Sequence, residues 1–475
     1  MPPEQLSPLD AAFLRLEDRS AHMHIAMVGY FHPPAGARTT LDQLQASVES
    51  RLSRLPRFRQ RLAWPPPGLG DPFWVDDPEF DIARHVVAAT GPDEAMTRAS
   101  FDELVDALLS EPLVRSRPLW EFAFVPRLED GRSSILCRVH HAMVDGVAGM
   151  EILAALFSDS AGAEPAPPEP WHPPAPPGPL ELAVSALARQ AQAAGGLLSR
   201  AVATALSPPA AALRAVGDAG ARAVAAVTND VLFPAPASFL NQPIGPQRRL
   251  VRSPLAAAAV LEVKRAAEVS FNDVCLAVAC GALRRLALER GEPPPLLKVA
   301  IPVSMRGSDS RGWGNRISFA SIELPLDIDS PRSRLERIHE QTQRFKRMGR
   351  AEATDTAINA LALLPGPLRT PIARVGASAQ AFNLTISNVP GPRTPLYLLG
   401  AELDEGYLLA PLTPGHALSI AFFPYRERVF FAGYSDPEAL PEVEALPGAL
   451  SAELDELREA LQPATRAAAR TPPGD

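Results

Sequence analysis

The chain has 475 residues, 46% of them hydrophobic, and a formal net charge of -8. That length exceeds one ordinary core, so two domains are expected, and the apolar share excludes a wholly disordered chain. No basic block dominates, so a duplex-binding surface is not expected and nucleic acid is not an expected partner.

Three cysteines, Cys137, Cys275 and Cys280, are too few for a disulfide framework and point to a reducing cytoplasm. The N-terminal stretch MPPEQLSPLDAAFLRLEDRS carries Glu4, Asp10 and Glu17 and has no basic segment before an apolar run, so no signal peptide is expected. No window of about 18 uncharged apolar residues occurs, so no transmembrane helix is expected and any membrane contact would be peripheral.

In chain order, Met23–Phe31 (MHIAMVGYF) reads as a strand. Leu41–Leu52 has helical spacing through Leu41, Leu44, Val48 and Leu52, with Thr40 as its N-cap. Phe101–Leu109 reads as a short amphipathic helix, Leu119–Val125 and Ser134–Val139 as strands, and Val147–Phe157 as a buried helix. The run EPAPPEPWHPPAPPGP from Glu164 to Pro179 reads as a stiff linker, because proline supplies neither ladder donors nor helix interior. Leu180–Phe233 is rich in alanine and punctuated by Arg189, Arg200, Arg214 and Arg222. It suggests two helices broken at Pro208–Pro209, either crossing between domains or resting on lipid.

Further on, Ala258–Val263 reads as a strand, Phe271–Arg290 as a helix ended by Gly291, Leu297–Val303 and Ile317–Leu324 as strands, and Ser333–Arg350 as a charged, exposed helix. Phe382–Val389, Leu418–Phe423 and Val429–Tyr434 complete the strands. The expected division is an N-terminal domain over 1–163, a linker with crossover helices over 164–240, and a C-terminal domain over 241–475. Both domains would be α/β, with several strands in each.

Between a strand and a helix lies HHAMVDG, His140 to Gly146. It has three readings. A neutral imidazole near pH 7 can take a proton from an alcohol as its oxygen attacks a carbonyl, and a turn holds such a ring well. A metal site would use His140, His141 and Asp145. On a helix His141 and Asp145 share a face while His140 points elsewhere, and the remaining histidines (22, 24, 32, 85, 172, 339 and 416) show no ligand spacing. The third reading is an ordinary helix start capped by Asp145. The chain has no GxSxG elbow, no phosphate loop and no GxGxxG, and Gly312-Trp313-Gly314-Asn315 lacks a third glycine. A histidine base without a nucleophile suits direct transfer from an activated acyl donor such as a thioester.

HHAMVDG resembles the HHxxxDG motif of the bacterial wax ester synthase/diacylglycerol acyltransferase family. LSPLDAAFLRLE at Leu6–Glu17, MHIAMVGYF, RPLWEF at Arg117–Phe122, FNDVCLAVACGALRR at Phe271–Arg285, PVSMR at Pro302–Arg306, Gly314–Asn315 and SNVPGP at Ser387–Pro392 resemble its other segments in the same order. The likeness runs from residue 6 to about residue 440. It is weakest in the proline-rich linker, the Ala/Arg-rich helices, and the turn bearing Arg426, Glu427 and Arg428.

The resemblance implies two α/β halves like chloramphenicol acetyltransferase, with a tunnel between them. It implies His141 as general base and Asp145 bracing the turn, with Gly146 shaping it and His140 in the motif without an assigned role. Asn272, Asp273, Ser304, Arg306, Ser387 and Asn388 would contribute from the second half. Local roles stand beside these: Asn272 and Asp273 as helix caps, Asn388–Gly391 as a turn, and Pro118–Trp120 as core packing. The implied substrates are acyl-CoA with diacylglycerol or a long-chain alcohol, with no metal and no bound cofactor, and with peripheral membrane or lipid-droplet contact. A condensation-domain-like acyltransferase or a non-catalytic lipid- or partner-binding protein on the same scaffold are the alternatives.

Overall fold

The computed structural model describes residues 3–34, 36, 38–91, 94–144, 156–162, 170–205, 234–304, 317–347, 374–392 and 394–462. The first part contains β1 (Glu4–Gln5), α1 (Pro8–Leu16), β2 (His24–His32), α2 (Leu41–Arg51), β3 (Gln60–Ala63), β4 (Phe73–Asp76), β5 (Val86–Ala88), α3 (Arg98–Leu109), β6 (Trp120–Val125) and β7 (Ser133–His140). A long helix, α4 (Pro179–Ala205), leads to β8 (Arg249–Ala256), α5 (Ala257–Ala266), α6 (Phe271–Glu289), β9 (Leu296–Ser304), β10 (Ile317–Pro325) and α7 (Pro331–Arg347). Then come β11 (Leu384–Asn388), β12 (Tyr397–Leu398), β13 (Ala401–Leu409), β14 (Leu418–Tyr425), β15 (Arg428–Ser435) and α8 (Leu446–Leu461).

The strands form two six-stranded mixed sheets, ordered β12-β13-β2-β7-β6-β5 and β10-β9-β11-β14-β15-β8, and a small sheet β1-β4-β3. Sheet membership does not follow chain order. Ala401–Leu409, far along the second half, pairs antiparallel with β2 of the first sheet, from Glu402 opposite His32 to Leu409 opposite Ala26, with a bulge between Leu403 and Glu405. This crossover strand faces β14 and β15 of the second sheet. Tyr407 meets Phe430 edge-on at 5.2 Å. Gly406 lets the sheets approach, since a Cβ there would lie 3.2 Å from the Phe423 ring.

A cluster of charges holds the crossover strand. Glu405 accepts from Arg132 Nη1 at 2.8 Å, from Tyr407 Oη at 2.7 Å and from Arg98 Nη2 at 3.2 Å. Asp404 accepts from Arg132 at 2.9 Å. Arg426 pairs with Glu402, and Arg428 pairs with Asp404 and donates to its carbonyl at 2.7 Å. The unusual basic turn after β14 therefore neutralises the acids of the strand beside it, with Arg426 in the left-handed region at φ 55.

In the second half α6 is buried along nearly its whole length, as its all-round apolar sequence requires. It packs against α5, α7 and α8. Gly281 is needed there, because a Cβ would sit 1.9 Å from the Glu453 side chain of α8. Ala258–Val263 is helical and lies within α5, contrary to the strand expected. Four successive alanines, Ala256 to Ala259, favour helix, and Ala259, Val260 and Val263 bury one helical face. The strand lies just before it, as β8, at the sheet's edge, where Pro254 leaves no central ladder donor missing.

Of the other expected elements, Thr40 caps α2 through a complete capping box with Gln43. The helix expected at Ser333–Arg350 is α7, which buries Arg334, Leu335, Ile338 and Thr342 on its inner face. Leu180–Ala205 is one helix, and the second helix expected after Pro208–Pro209 falls outside the described residues, as does most of Val147–Phe157. The three cysteines are unpaired and buried. Among the described residues no single helix is long and apolar enough to cross a membrane.

Candidate active site

Strand β7 delivers the two histidines at its C-terminal end. His140 is the last strand residue, directly opposite His24 of β2. Its N–H donates to the Leu119 carbonyl at 2.9 Å, and that of His141 to the Met23 carbonyl at 2.9 Å. Both partners come from stretches that resemble the family: Leu119 lies in PLW, and Met23, which opens MHIAMVGYF, stands just before β2 with φ 47.

The two rings differ in surroundings. His140 is buried, with Nδ1 accepting the Ala142 N–H at 3.0 Å and Nε2 lying 3.6 Å from Glu17 Oε2. His141 is 9% exposed, and its ring stacks on Phe13 at 4.0 Å between centroids and 12° between planes. A flat hydrophobic partner holds the ring plane while leaving the nitrogens at the ring edge. Asp145 and Gly146, which complete the motif, lie outside the described residues.

Phe13 and Glu17 come from α1, and neither was singled out as a site residue from sequence. Ser7 caps this helix by accepting the Asp10 N–H, Pro8 opens it, and Phe13 and Glu17 follow one turn apart at its end. Burial pushes the Glu17 carboxyl upward, but His140 and Arg115 outweigh this and hold it below the usual carboxylate range. Arg115 Nε donates to it at 2.8 Å.

Beside the turn, burial lowers the pKa of both His22 and His24, and nearby Arg248 and Arg138 reinforce this. Tyr434, from the second sheet, brings its hydroxyl to 3.5 Å from His24 Nε2, so the two halves meet next to the HH turn. His85 is a core residue: its Nδ1 donates to the Trp120 carbonyl at 2.8 Å, its ring stacks on Trp120, and burial lowers its pKa to about 4. Trp120 is 1% exposed and donates to the Phe58 carbonyl at 2.8 Å, so its side chain packs the core while Leu119 holds the turn. Among the described residues no group of three or more His, Cys, Asp or Glu side chains is arranged to hold a metal ion.

The second half contributes a separate group. Asp273 is fully buried and closes a capping box with Ser270. It also pairs with His339 Nδ1 at 2.8 Å and accepts from Thr342 Oγ1 at 2.8 Å. Burial raises its pKa, but these partners, His339 first, bring it below the usual range. The carboxyl is thus spent on fixing α6 to α7. Asn272 instead points to β11, where its Oδ1 lies 3.5 Å from Asn388 Nδ2. Ser387 precedes Asn388 on β11, between β9 and β14. Gly391 follows, where a Cβ would stand 1.6 Å from the Pro424 carbonyl oxygen, so SNVPGP needs glycine for backbone contact. Ser304 ends β9, and Arg306 lies outside the described residues.

Two family models match the chain: the wax ester synthase/diacylglycerol acyltransferase catalytic domain over residues 6–275 and the WS/DGAT C-terminal domain over 313–458. A Mycobacterium tuberculosis protein described as a probable diacylglycerol O-acyltransferase is 30% identical over 442 residues, covering 92% of each chain. Among solved structures, the wax ester synthase/diacylglycerol acyltransferase from Marinobacter aquaeolei VT8 matches with a TM-score of 0.67 and 25% identity, over 96% of this chain and 99% of that one. The starter condensation domain of rhizomide synthetase matches with a TM-score of 0.60 at 14% identity, over 98% and 95%, which shows a shared fold alone. The α/β architecture with two facing sheets is therefore that of these acyltransferase-like proteins, and the chain belongs to the wax ester synthase/diacylglycerol acyltransferase family, an enzyme family of acyltransferases.

Proposed function

We propose that the protein transfers the acyl group of acyl-CoA to a hydroxyl, giving triacylglycerol from diacylglycerol or a wax ester from a long-chain alcohol, with His141 as general base. The observation that carries this reading is the environment of His141. Its backbone is pinned to Met23 and its ring plane is fixed against Phe13 at 4.0 Å. Its neighbour His140 is committed to the turn through Ala142 and Glu17. A single oriented imidazole is what proton removal from an alcohol requires.

The imidazole takes the hydroxyl proton as the alcohol oxygen bonds to the thioester carbonyl carbon. The tetrahedral intermediate then expels the CoA sulfur, and the imidazolium returns its proton to that thiolate. The products are an ester and free CoA. The thioester is already activated, so the scheme calls on no metal and no bound cofactor. Asn272, Ser304, Arg306, Ser387 and Asn388 serve the substrates from the second half, whereas Asp273 acts through α6. Asp145 and Gly146 shape the turn after His141.

Both substrates are lipids, and contact with a membrane or droplet surface would be peripheral. Leu180, Val184 and Leu187 of α4 support this: spaced for one helical face, they are 79%, 58% and 51% exposed. The test is CoA release from palmitoyl-CoA, measured alone, with diacylglycerol and with hexadecanol. Release that depends on either acceptor is the expected result, and release indifferent to both would overturn the reading.

A further inference from the structure

The end of α1 touches the HH turn at both rings. Phe13 stacks on His141, and one turn later the Glu17 side chain, only 7% exposed, faces His140. A buried carboxylate is costly unless partners surround it. Arg115 occupies one side of Glu17, with Nε at 2.8 Å, and its guanidinium also donates to the Leu14 carbonyl at 3.0 Å. The other side of the carboxylate looks onto His140 Nε2 at 3.6 Å.

The tautomer of His140 follows from its other nitrogen. Nδ1 accepts the Ala142 N–H at 3.0 Å, and a nitrogen that accepts carries no proton. In the neutral ring the proton therefore sits on Nε2, facing the carboxylate. At 3.6 Å this is an electrostatic contact rather than a full hydrogen bond, but it opposes the reversed tautomer, in which a bare Nε2 would face a buried anion and the Ala142 N–H would lose its acceptor. Ala142 is the residue immediately after His141, so fixing its N–H fixes the chain on the far side of that residue. Met23 fixes the near side through the His141 N–H.

We infer that Glu17 is a positioning residue for the acyl transfer: by setting the tautomer of His140 it sets the turn that aims His141. The inference rests on His141 being the base. It also gives the first histidine of the motif a function, that of a bracket between α1 and the main chain.

The test compares wild type, Glu17→Leu, Glu17→Gln and His141→Ala in full-length protein, using palmitoyl-CoA with hexadecanol or diacylglycerol, and reads kcat and KM separately. Glu17→Leu is expected to lower kcat by about 10- to 100-fold, the scale of a reactive group displaced by about 1 Å, with both KM values unchanged in the folded protein. Glu17→Gln keeps an oxygen facing Nε2 and is expected to recover most of that loss. Nitrogen-15 histidine spectra of the wild type, with His140 assigned by its disappearance in His140→Gln, should show its proton on Nε2.

Wild-type kcat in Glu17→Leu beside an inactive His141→Ala would overturn the role of Glu17 alone. So would a loss in Glu17→Leu that appears in KM with kcat unchanged. Turnover by His141→Ala would instead overturn the base reading. If Glu17→Leu does not fold, Glu17→Gln and the spectrum decide: a proton on His140 Nδ1 overturns the inference.

Discussion

Glu405 ties stability to pH in a way that can be worked out from its surroundings. Its side chain is 12% exposed on the crossover strand. Burial alone would raise its pKa, but hydrogen bonds from Arg132, Tyr407 and Arg98 outweigh burial and bring it from the ordinary 4.5 to about 2. A carboxyl depressed on folding adds stability that is fully present above its unfolded pKa and is lost as pH falls through its folded one. The window is therefore about pH 4.5 down to about 2, and the contribution at neutral pH is about 3 kcal/mol by linkage. Urea unfolding of wild type and Glu405→Gln at steps from pH 7 to pH 2 measures it. The variant cannot ionise, so it should be less stable than wild type at pH 7, and the gap should close across that window. A gap that stays constant from pH 5 to pH 2, or no gap at pH 7, would show that Glu405 ionisation does not stabilise the fold.

Other positions give sharper local outcomes. Trp120→Phe removes the donor to the Phe58 carbonyl and leaves a buried acceptor unpaired. It should cost about 1–3 kcal/mol in denaturant unfolding, with acceptor-dependent CoA release retained by the folded fraction. Asp273→Ala removes the capping box and both contacts to α7, so it should lower stability by about 1–2 kcal/mol or more, and a loss of kcat without loss of stability would show that it serves the reaction directly. Gly391→Ala puts a Cβ 1.6 Å from a main-chain oxygen that cannot rotate away, and should lower the melting temperature and activity together, which differential scanning calorimetry and the CoA assay will read.

The family and the position of the HH turn were legible because they rest on local signals. Thr40 as the cap of α2 follows capping chemistry that the residue type dictates, and Asp273 does join a capping box, although Ser270 rather than Asn272 is the cap residue. Ala258–Val263 misled because a short, mostly apolar stretch fits either period, and only the alanines from Ala256 to Ala259 favour the helix that forms. Strand β13 was not recognised because AELDEGYLL carries three acids, and their partners, Arg98, Arg132, Arg426 and Arg428, arrive from other elements. The same holds for Glu17, which sequence alone presents as a surface carboxylate at a helix end, and for Phe13, which looks like an ordinary core residue. The Ser-Pro start of α1 and the one-turn spacing of the pair were visible, but what they face depends on how α1 and β7 pack.

The most direct test of the account is His141→Ala in the acceptor-dependent CoA-release assay, beside a melting curve and His140→Gln. His141→Ala is expected to melt like wild type and to release no CoA in response to diacylglycerol or hexadecanol, while His140→Gln, which acts on the turn rather than on the substrate, retains measurable turnover. Near-normal acceptor-dependent release by folded His141→Ala would contradict it.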